Sequence, residues 1–423
     1  MVRFIAVIWL MLILAFPAVH AAEAEDTRQG VMHPSFRTLQ VQLEGNPLAP
    51  AVIDINNPAD RVIVSFDEIA DERRYMRYSL VHCDASWRPE GLVDSEFLDG
   101  FNEGLVEDYD YSQATLVHYV HYRITIPDGK MRFTAPGNYL LRVYDESDPD
   151  ETLLQARFGV SDNSAGVMAG VTSRTDIDTN SHHQQIGVRV DTRHLDLDDP
   201  FNDLRVVVTQ NGRPDNEVTL VTPQRLGDKM VIYEHLRPLI FDAGNEYRRF
   251  ETVSTYYPGM GVESIDRDAP VFNMTLYPDS PRAPHDYLYD ETLSGRYLVR
   301  DASVNDSDTE ADYVMTHFSL HMPPMEGGDV FLDGDFTDRK FDPRSRMVYN
   351  HATGAYEQSV LLKQGAYTYQ YLVVPSGSMS GKTGPVEGDK YQTVNEYVIR
   401  VYHRPKGTRF DRLVGVGMVR SGI

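Results

Sequence analysis

The sequence predicts an all-β protein made of tandem immunoglobulin-like β-sandwiches. Three observations carry that reading. Apolar residues recur with period two in many short runs, the signature of half-buried strands. Turn formers separate the runs: the chain has 24 prolines and 30 glycines, beside 25 tyrosines, a residue that favours strands. No long stretch shows the apolar spacing of an amphipathic helix. At roughly 150 residues per domain, 423 residues predict about three domains.

The elements follow in chain order. Met1-Val2-Arg3 is a short positive start, and Phe4 to Phe16 is an unbroken apolar run ended by Pro17. Val19-His20-Ala21 places small residues at a cleavage position, so residues 1–21 are predicted to be a signal peptide, too short for a comfortable membrane span. No cysteine follows the run, so a lipid anchor is not expected. Strands are predicted at Val62–Phe66 and Tyr75–Cys83, with a turn or two of helix within Ser95–Asp110. Ala114 to Ile126 alternates throughout: Leu116, His118, Val120, Tyr122, Ile124 and Ile126 share one face. Tyr139–Tyr144 follows a Pro136-Gly137-Asn138 turn. Ile186, Val188 and Val190 alternate, as do Leu204, Val206 and Val208, which run into the hairpin signal Asn211-Gly212. Further strands are predicted at Val271–Tyr277, Tyr313–Leu320, Tyr367–Val374 and Tyr397–Tyr402.

The pattern lapses at Ser161–Gly170 and at the proline-rich Pro278–Asp290. Sandwiches of about 100 residues each are therefore expected at 30–162, 163–287 and 288–406, with 407–423 packing back on the last of them as a tail.

Composition and motifs exclude several classes. A formal charge of −23 without clustered Lys and Arg argues against nucleic acid as a partner. One cysteine, Cys83, excludes an intrachain disulfide and a Cys-rich zinc site. A buried thiol is expected. Ser376 to Thr383 (SGSMSGKT) lacks the first glycine of a phosphate-cradling loop, and Gly384-Pro385 follows where a helix is needed. A flexible surface loop is expected there, with Lys382 exposed. Cys83 and His82 are adjacent on a strand and point to opposite faces, so they do not make a thiolate pair. His182-His183 lacks acidic partners at a metal-binding spacing. The acidic runs Asp196–Asp199 and Asn305–Asp308 lack the glycine and terminal glutamate of a calcium loop. No catalytic residue, cofactor or metal is expected.

Two resemblances follow. VFLDGDF at Val330–Phe336 and the later Gly365-Ala366-Tyr367-Thr368-Tyr369 are similar to glycogen-binding, early-set sandwich modules. Such modules hold sugar on tryptophan, whereas Thr337-Asp338-Arg339 follows Gly334-Asp335-Phe336 here. A periplasmic carbohydrate-binding protein is therefore the alternative function.

The second resemblance spans nearly the whole chain. It rests on His82, Cys83, Asp84 and Trp87 in YSLVHCDASW; Gly100 in FLDGF; Tyr119, His121 and Tyr122 in YVHY; Asn138 in PGNY; and Asn211 in QNGR. It continues through Asn245, Glu246 and Arg248 in GNEYR; Asp312 in ADY; Gly365 in KQGAY; Asn395 in NEY; and Arg412 and Gly415 in DRLVG. In this order the chain resembles the plug protein of the type IX secretion system of Bacteroidota. The resemblance implies a non-enzymatic periplasmic stopper. It would close the inner mouth of a large outer-membrane β-barrel translocon, its partner, and be displaced for cargo export. It implies structural roles for these eighteen residues.

Overall fold

The computed structural model describes residues 26–422. The signal peptide expected at 1–21 lies outside them. The described chain is nearly all strand, arranged as three β-sandwiches, each around its own apolar core.

In the first sandwich one sheet runs in the order Gly30–Val31, Asp148–Ser161, Gly137–Asp145, Met76–Cys83, Gly104–Leu105, with Val52–Asp54 added in parallel to Asp148–Ser161. The facing sheet is Phe36–Leu43, Val62–Glu68, Val120–Ile126, Asp108–Tyr111. Val120, Tyr122, Ile124 and Ile126 point into the core, as their period predicts. The strand is shorter than the alternation over 114–126 suggests. Leu116 and Val117 give their amides to the carboxylate of Asp312, at 2.6 and 3.0 Å, instead of to a neighbouring strand. Leu116 is half-exposed as a result. The helix expected within 95–110 is a single turn, Asp94–Phe97.

The middle sandwich is discontinuous in sequence. One sheet is Gly166–Thr172, His183–Asp191, Met230–Tyr233, Arg225–Gly227, with Ile240–Asp242 also on His183–Asp191. The other is Val218–Leu220, Leu204–Gln210, Glu396–His403, Arg412–Arg420. The last two strands therefore complete the middle sandwich. Leu204–Gln210 pairs with Glu396–His403 from Leu204↔His403 to Gln210↔Tyr397. Tyr397, Ile399, Val401 and Val414 lie in the middle core. This corrects both the 288–406 boundary and the expectation that 407–423 packs on the third sandwich. Period-two patterning shows that a segment is a strand but not which sheet receives it. Asn211 and Gly212 both have positive φ, 53° and 69°, and the Arg213 amide donates to the Gln210 carbonyl at 3.0 Å, a primed turn. Ladder pairing resumes only at Val208↔Val218, so the hairpin is wider than the two-residue signal implies.

The third sandwich begins before the expected seam. Arg248–Glu251, Gly365–Pro375 and Tyr297–Val299 form one sheet, with Gly328–Asp333 also on Gly365–Pro375. Val262–Asp266, Asn273–Leu276, Tyr313–His321, Ala355–Lys363 and Val348–Asn350 form the other. Residues 248–276, expected in the middle domain, thus belong here, and the third sandwich is an insertion within the middle one.

The first and third sandwiches share one device. Tyr139, after Gly137-Asn138, donates its hydroxyl to the Ala135 carbonyl at 2.6 Å. Tyr367, after Gly365-Ala366, donates to the carbonyl of Lys363, again four residues earlier. Each pins the start of a long strand to the loop before it, as a tyrosine corner does.

Candidate functional site

The buried polar residues concentrate where the sandwiches meet. Three joints result, and most of the motif residues lie in them.

The joint between the first and third sandwiches centres on Asp67, at the end of the Val62–Glu68 strand and fully buried. One carboxylate oxygen accepts from the Lys363 ammonium and from the Tyr313 hydroxyl, each at 2.7 Å. The other oxygen meets His121 Nδ1 at 2.6 Å. Lys363 also donates to the Asp308 carbonyl at 2.6 Å and sits 4.1 Å from the centroid of the Tyr119 ring. The Tyr119 hydroxyl donates to the Ala311 carbonyl at 2.8 Å. Asp312 accepts three amides, from Leu116, Val117 and Tyr313. Burial alone would raise the Asp67 carboxyl, but Lys363 and His121 hold it below the ordinary carboxylate range. Burial also drives the Tyr119 and Tyr313 hydroxyls well up, keeping them neutral donors.

The joint between the first and middle sandwiches is built on Glu90 and Asp411. Glu90 bonds His82 Nδ1 at 2.9 Å, the Asp411 amide at 3.0 Å, and the Arg404 guanidinium. The Asp411 carboxylate accepts from the Ala85 amide at 2.9 Å and from Arg205 at 3.0 Å. Asn138 bridges the two bodies: its amide donates to the Asp84 carbonyl at 2.9 Å, and its oxygen accepts the Tyr402 hydroxyl at 2.8 Å. Arg412 pairs with Asp162 of the linker at 2.6 Å. Ala85, Val207, Tyr402 and Leu413 add a small apolar cluster.

The joint between the middle and third sandwiches ties together the two chain segments that cross between them, 243–247 and 387–395. The Glu246 carboxylate accepts the Val394 amide at 2.9 Å and the Tyr287 hydroxyl at 2.7 Å; burial raises its pKa. Asn245 donates to the Glu387 carbonyl at 2.8 Å. Asn395 donates to the Ala243 carbonyl at 2.7 Å and to Gln184 at 3.0 Å, and receives Asn211 at 2.7 Å. Arg248 reaches Glu387 at 3.1 Å and Asp279 at 2.5 Å, and Arg282 reaches Glu387 at 2.7 Å. Burial opposes ionisation of Glu387, but these two guanidiniums hold its pKa down.

Residues 36–162 match the family profile described as type 9 secretion system plug protein 1st domain. The crystal structure of a hypothetical protein from Parabacteroides merdae ATCC 43184 superposes with a TM-score of 0.91 at 40% identity, covering 93% of this chain and 99% of that one. The chain belongs to the type IX secretion plug family. An alkylpurine DNA glycosylase from Pseudomonas fluorescens reaches a TM-score of only 0.16 at 15% identity, over 30% of each chain, and carries no argument. No curated protein matches.

The remaining motif residues of this plug-family chain shape local structure. Cys83 is fully buried beside Trp87 and Leu140. The Asp84 carboxylate accepts the Ser86 and Arg88 amides at 2.8 and 2.9 Å, closing the turn that carries Trp87 at a φ of 63°. The Arg157 guanidinium lies 4.5 Å above the Trp87 ring, and burial lowers its pKa to about 10. Tyr122 accepts the Arg74 amide at 2.8 Å and stacks on Phe66. Gly100, at a φ of 118°, would set a Cβ 2.2 Å from the Lys130 carbonyl oxygen; a Cβ on Gly415 would lie 2.6 Å from that of Ala165. The motif thus unites neither a pocket nor a reactive pair; it brings together joint and turn residues. Asp67, Glu90 and Glu387 were missed, because a lone charged residue, on the strand that carries Asp67 or in the loops that carry Glu90 and Glu387, looks solvated until its distant partner is known. Lys363 and Asp411 stand within the KQGAY and DRLVG motifs without being singled out.

The Gly-Lys-Thr stretch is not a loose loop: Lys382 and Val373 exchange backbone hydrogen bonds at 2.8 and 3.0 Å, and Lys382 pairs with Asp242 at 2.9 Å. In the sugar-module resemblance, Tyr367, Tyr369 and Tyr371 point into the core, and Phe336 packs on Phe318 and Tyr367. The exposed tyrosines of this sandwich are Tyr256, Tyr257, Tyr277 and Tyr289, outside that stretch. Among the described residues, no group of three or more His, Cys, Asp or Glu is placed to hold a metal ion. No helix among them is long and apolar enough to cross a membrane.

Proposed function

We propose that this protein is a non-enzymatic periplasmic plug. It seats against the periplasmic mouth of the large outer-membrane β-barrel of the type IX system and is displaced when cargo leaves. Family membership supports a role in type IX secretion, and the export signal expected at 1–21 supports the compartment. The observation that carries the reading is the set of buried joints. A stopper for a wide pore needs bulk that does not deform, and the joints lock three sandwiches into one body with charge pairs that are costly to break singly. The test is uptake of a large, normally excluded antibiotic in cells with and without the gene, with barrel abundance followed alongside. Deletion is expected to raise uptake at unchanged barrel levels; unchanged uptake would sink the stopper mechanism. Tagged protein is expected to recover one very large barrel subunit from detergent-solubilised outer membranes.

The exposed tyrosines of the third sandwich keep a sugar-binding reading open to test. Soluble glucans are expected to leave the protein's thermal midpoint unchanged. A rise abolished by Tyr257→Ala would favour that alternative.

A further inference from the structure

A cleft of about 480 Å³ opens between the N-terminal segment of the described chain and the loop after Thr337. Its size suits a small ligand. It is lined by Arg28, Arg37, Lys340 and Arg344, against Asp26 and Asp342. Four cations gather here in a chain of net charge −23, with Asp26, Asp342 and the adjoining Asp338 as the acids around them.

The cations are not equally neutralised. Arg28 is held by Asp26 at 2.9 Å, and Arg344 by Asp342 at 2.8 Å and Asp338 at 3.3 Å. Among the described residues Arg37 donates only to the Pro34 and Phe36 carbonyls, at 2.5 and 2.6 Å. Lys340 is 8% exposed, and its ammonium has one polar contact among the described residues, the Met32 sulfur at 3.8 Å. Asp338, two residues before Lys340, spends one oxygen on the Val31 amide at 3.1 Å; it and Asp26 attract the ammonium from a distance, without a direct ion pair. Gly30 passes so close that a Cβ there would lie 2.7 Å from the ammonium nitrogen. A buried ammonium without an oxygen partner is costly. An oxyanion in the cleft would remove that cost and engage the Arg37 fork as well.

We propose that this cleft binds a small oxyanion, a carboxylate or phosphate group borne by a molecule outside this chain. The proposal does not depend on the plug reading, since it concerns the charge balance of one cleft. Calorimetric titration of the purified protein tests it with three probes: inorganic phosphate, a short peptide with a free C-terminal carboxylate, and the same peptide amidated. Binding of phosphate, or of the free-acid peptide over its amide, is expected. Which of the two binds identifies the source of the oxyanion. Lys340→Met and, independently, Arg37→Gln are each expected to weaken that binding by about tenfold or more, as for loss of a charge-assisted hydrogen bond. Arg37→Gln keeps the test open if the buried methionine fails to fold. No binding of any probe, equal binding of acid and amide without phosphate binding, or binding unaffected in a folded variant would overturn it.

Discussion

Lys363 holds the first sandwich to the third through one carboxylate. Because both partners are buried, removing either leaves a charge without its mate. Lys363→Met is therefore expected to cost about 3–5 kcal/mol, read as a fall in the denaturant midpoint. The Asp67→Asn and Lys363→Met double variant is expected to lose less than the sum of the singles. The pH dependence has a definite sign. Asp67 and Glu387 have folded pKa values below the ordinary range, so each adds stability that is present above about pH 4 and is lost as pH falls through the lower folded value. Glu246 is raised and acts oppositely: the folded state keeps its proton longer, and stability declines as pH climbs from the unfolded toward the folded pKa. Melting from pH 7 to pH 3 is expected to show a steep acid limb that Asp67→Asn flattens. Cys83, fully buried, is expected to react with alkylating reagents only on unfolding. Rapid labelling of native protein would contradict that packing.

Strands were the legible level of this sequence, and their partners were not. Val120–Ile126 could be read because four inward residues alternate without a break. Its false extension back to Ala114 arose because Leu116 and His118 keep the period while the amides of Leu116 and Val117 are claimed by Asp312, which no local pattern reveals. Tyr397–Tyr402 is legible as a strand, yet the place of Glu396–His403 beside Leu204–Gln210 depends on pairings nearly 200 residues apart. The joints were half legible: Asn245, Asn395 and Asp312 stood out through the family resemblance, Lys363 stood in the KQGAY motif without a role, and Asp67 carried no local signal. Two changes probe this level. Arg123 lies in a strand paired on both sides, with Ser65 and Asp108 opposite, and its own side chain is only half-buried. Arg123→Pro removes a backbone donor and is expected to unfold the first sandwich, whereas Arg123→Thr keeps it folded by circular dichroism. A Cβ on Gly365 would meet the Leu298 carbonyl oxygen at 2.4 Å, so Gly365→Ala is expected to destabilise by about 1–3 kcal/mol and to lower the thermal midpoint.

At the scale of the whole molecule, the three joints predict coupled unfolding. Calorimetry is expected to show one transition for the native chain, since no sandwich can leave without exposing buried charge. Asp411→Asn removes the charge that receives Arg205 and faces Arg404, and is expected to separate a transition for the first sandwich from the remainder.

The insertion of the third sandwich within the middle one also sets how the molecule bears load. Pulled at its ends, the chain loads the first and middle sandwiches in series through the single segment 162–165, whereas the third, held by the two crossings 243–247 and 387–395, stays outside the line of force while the middle one is folded. The first sandwich is expected to yield earliest, once its charge pairs shear, while the other two act as one block. In an optical trap with handles at both ends, the first rip is expected to release about the contour length of residues 30–161.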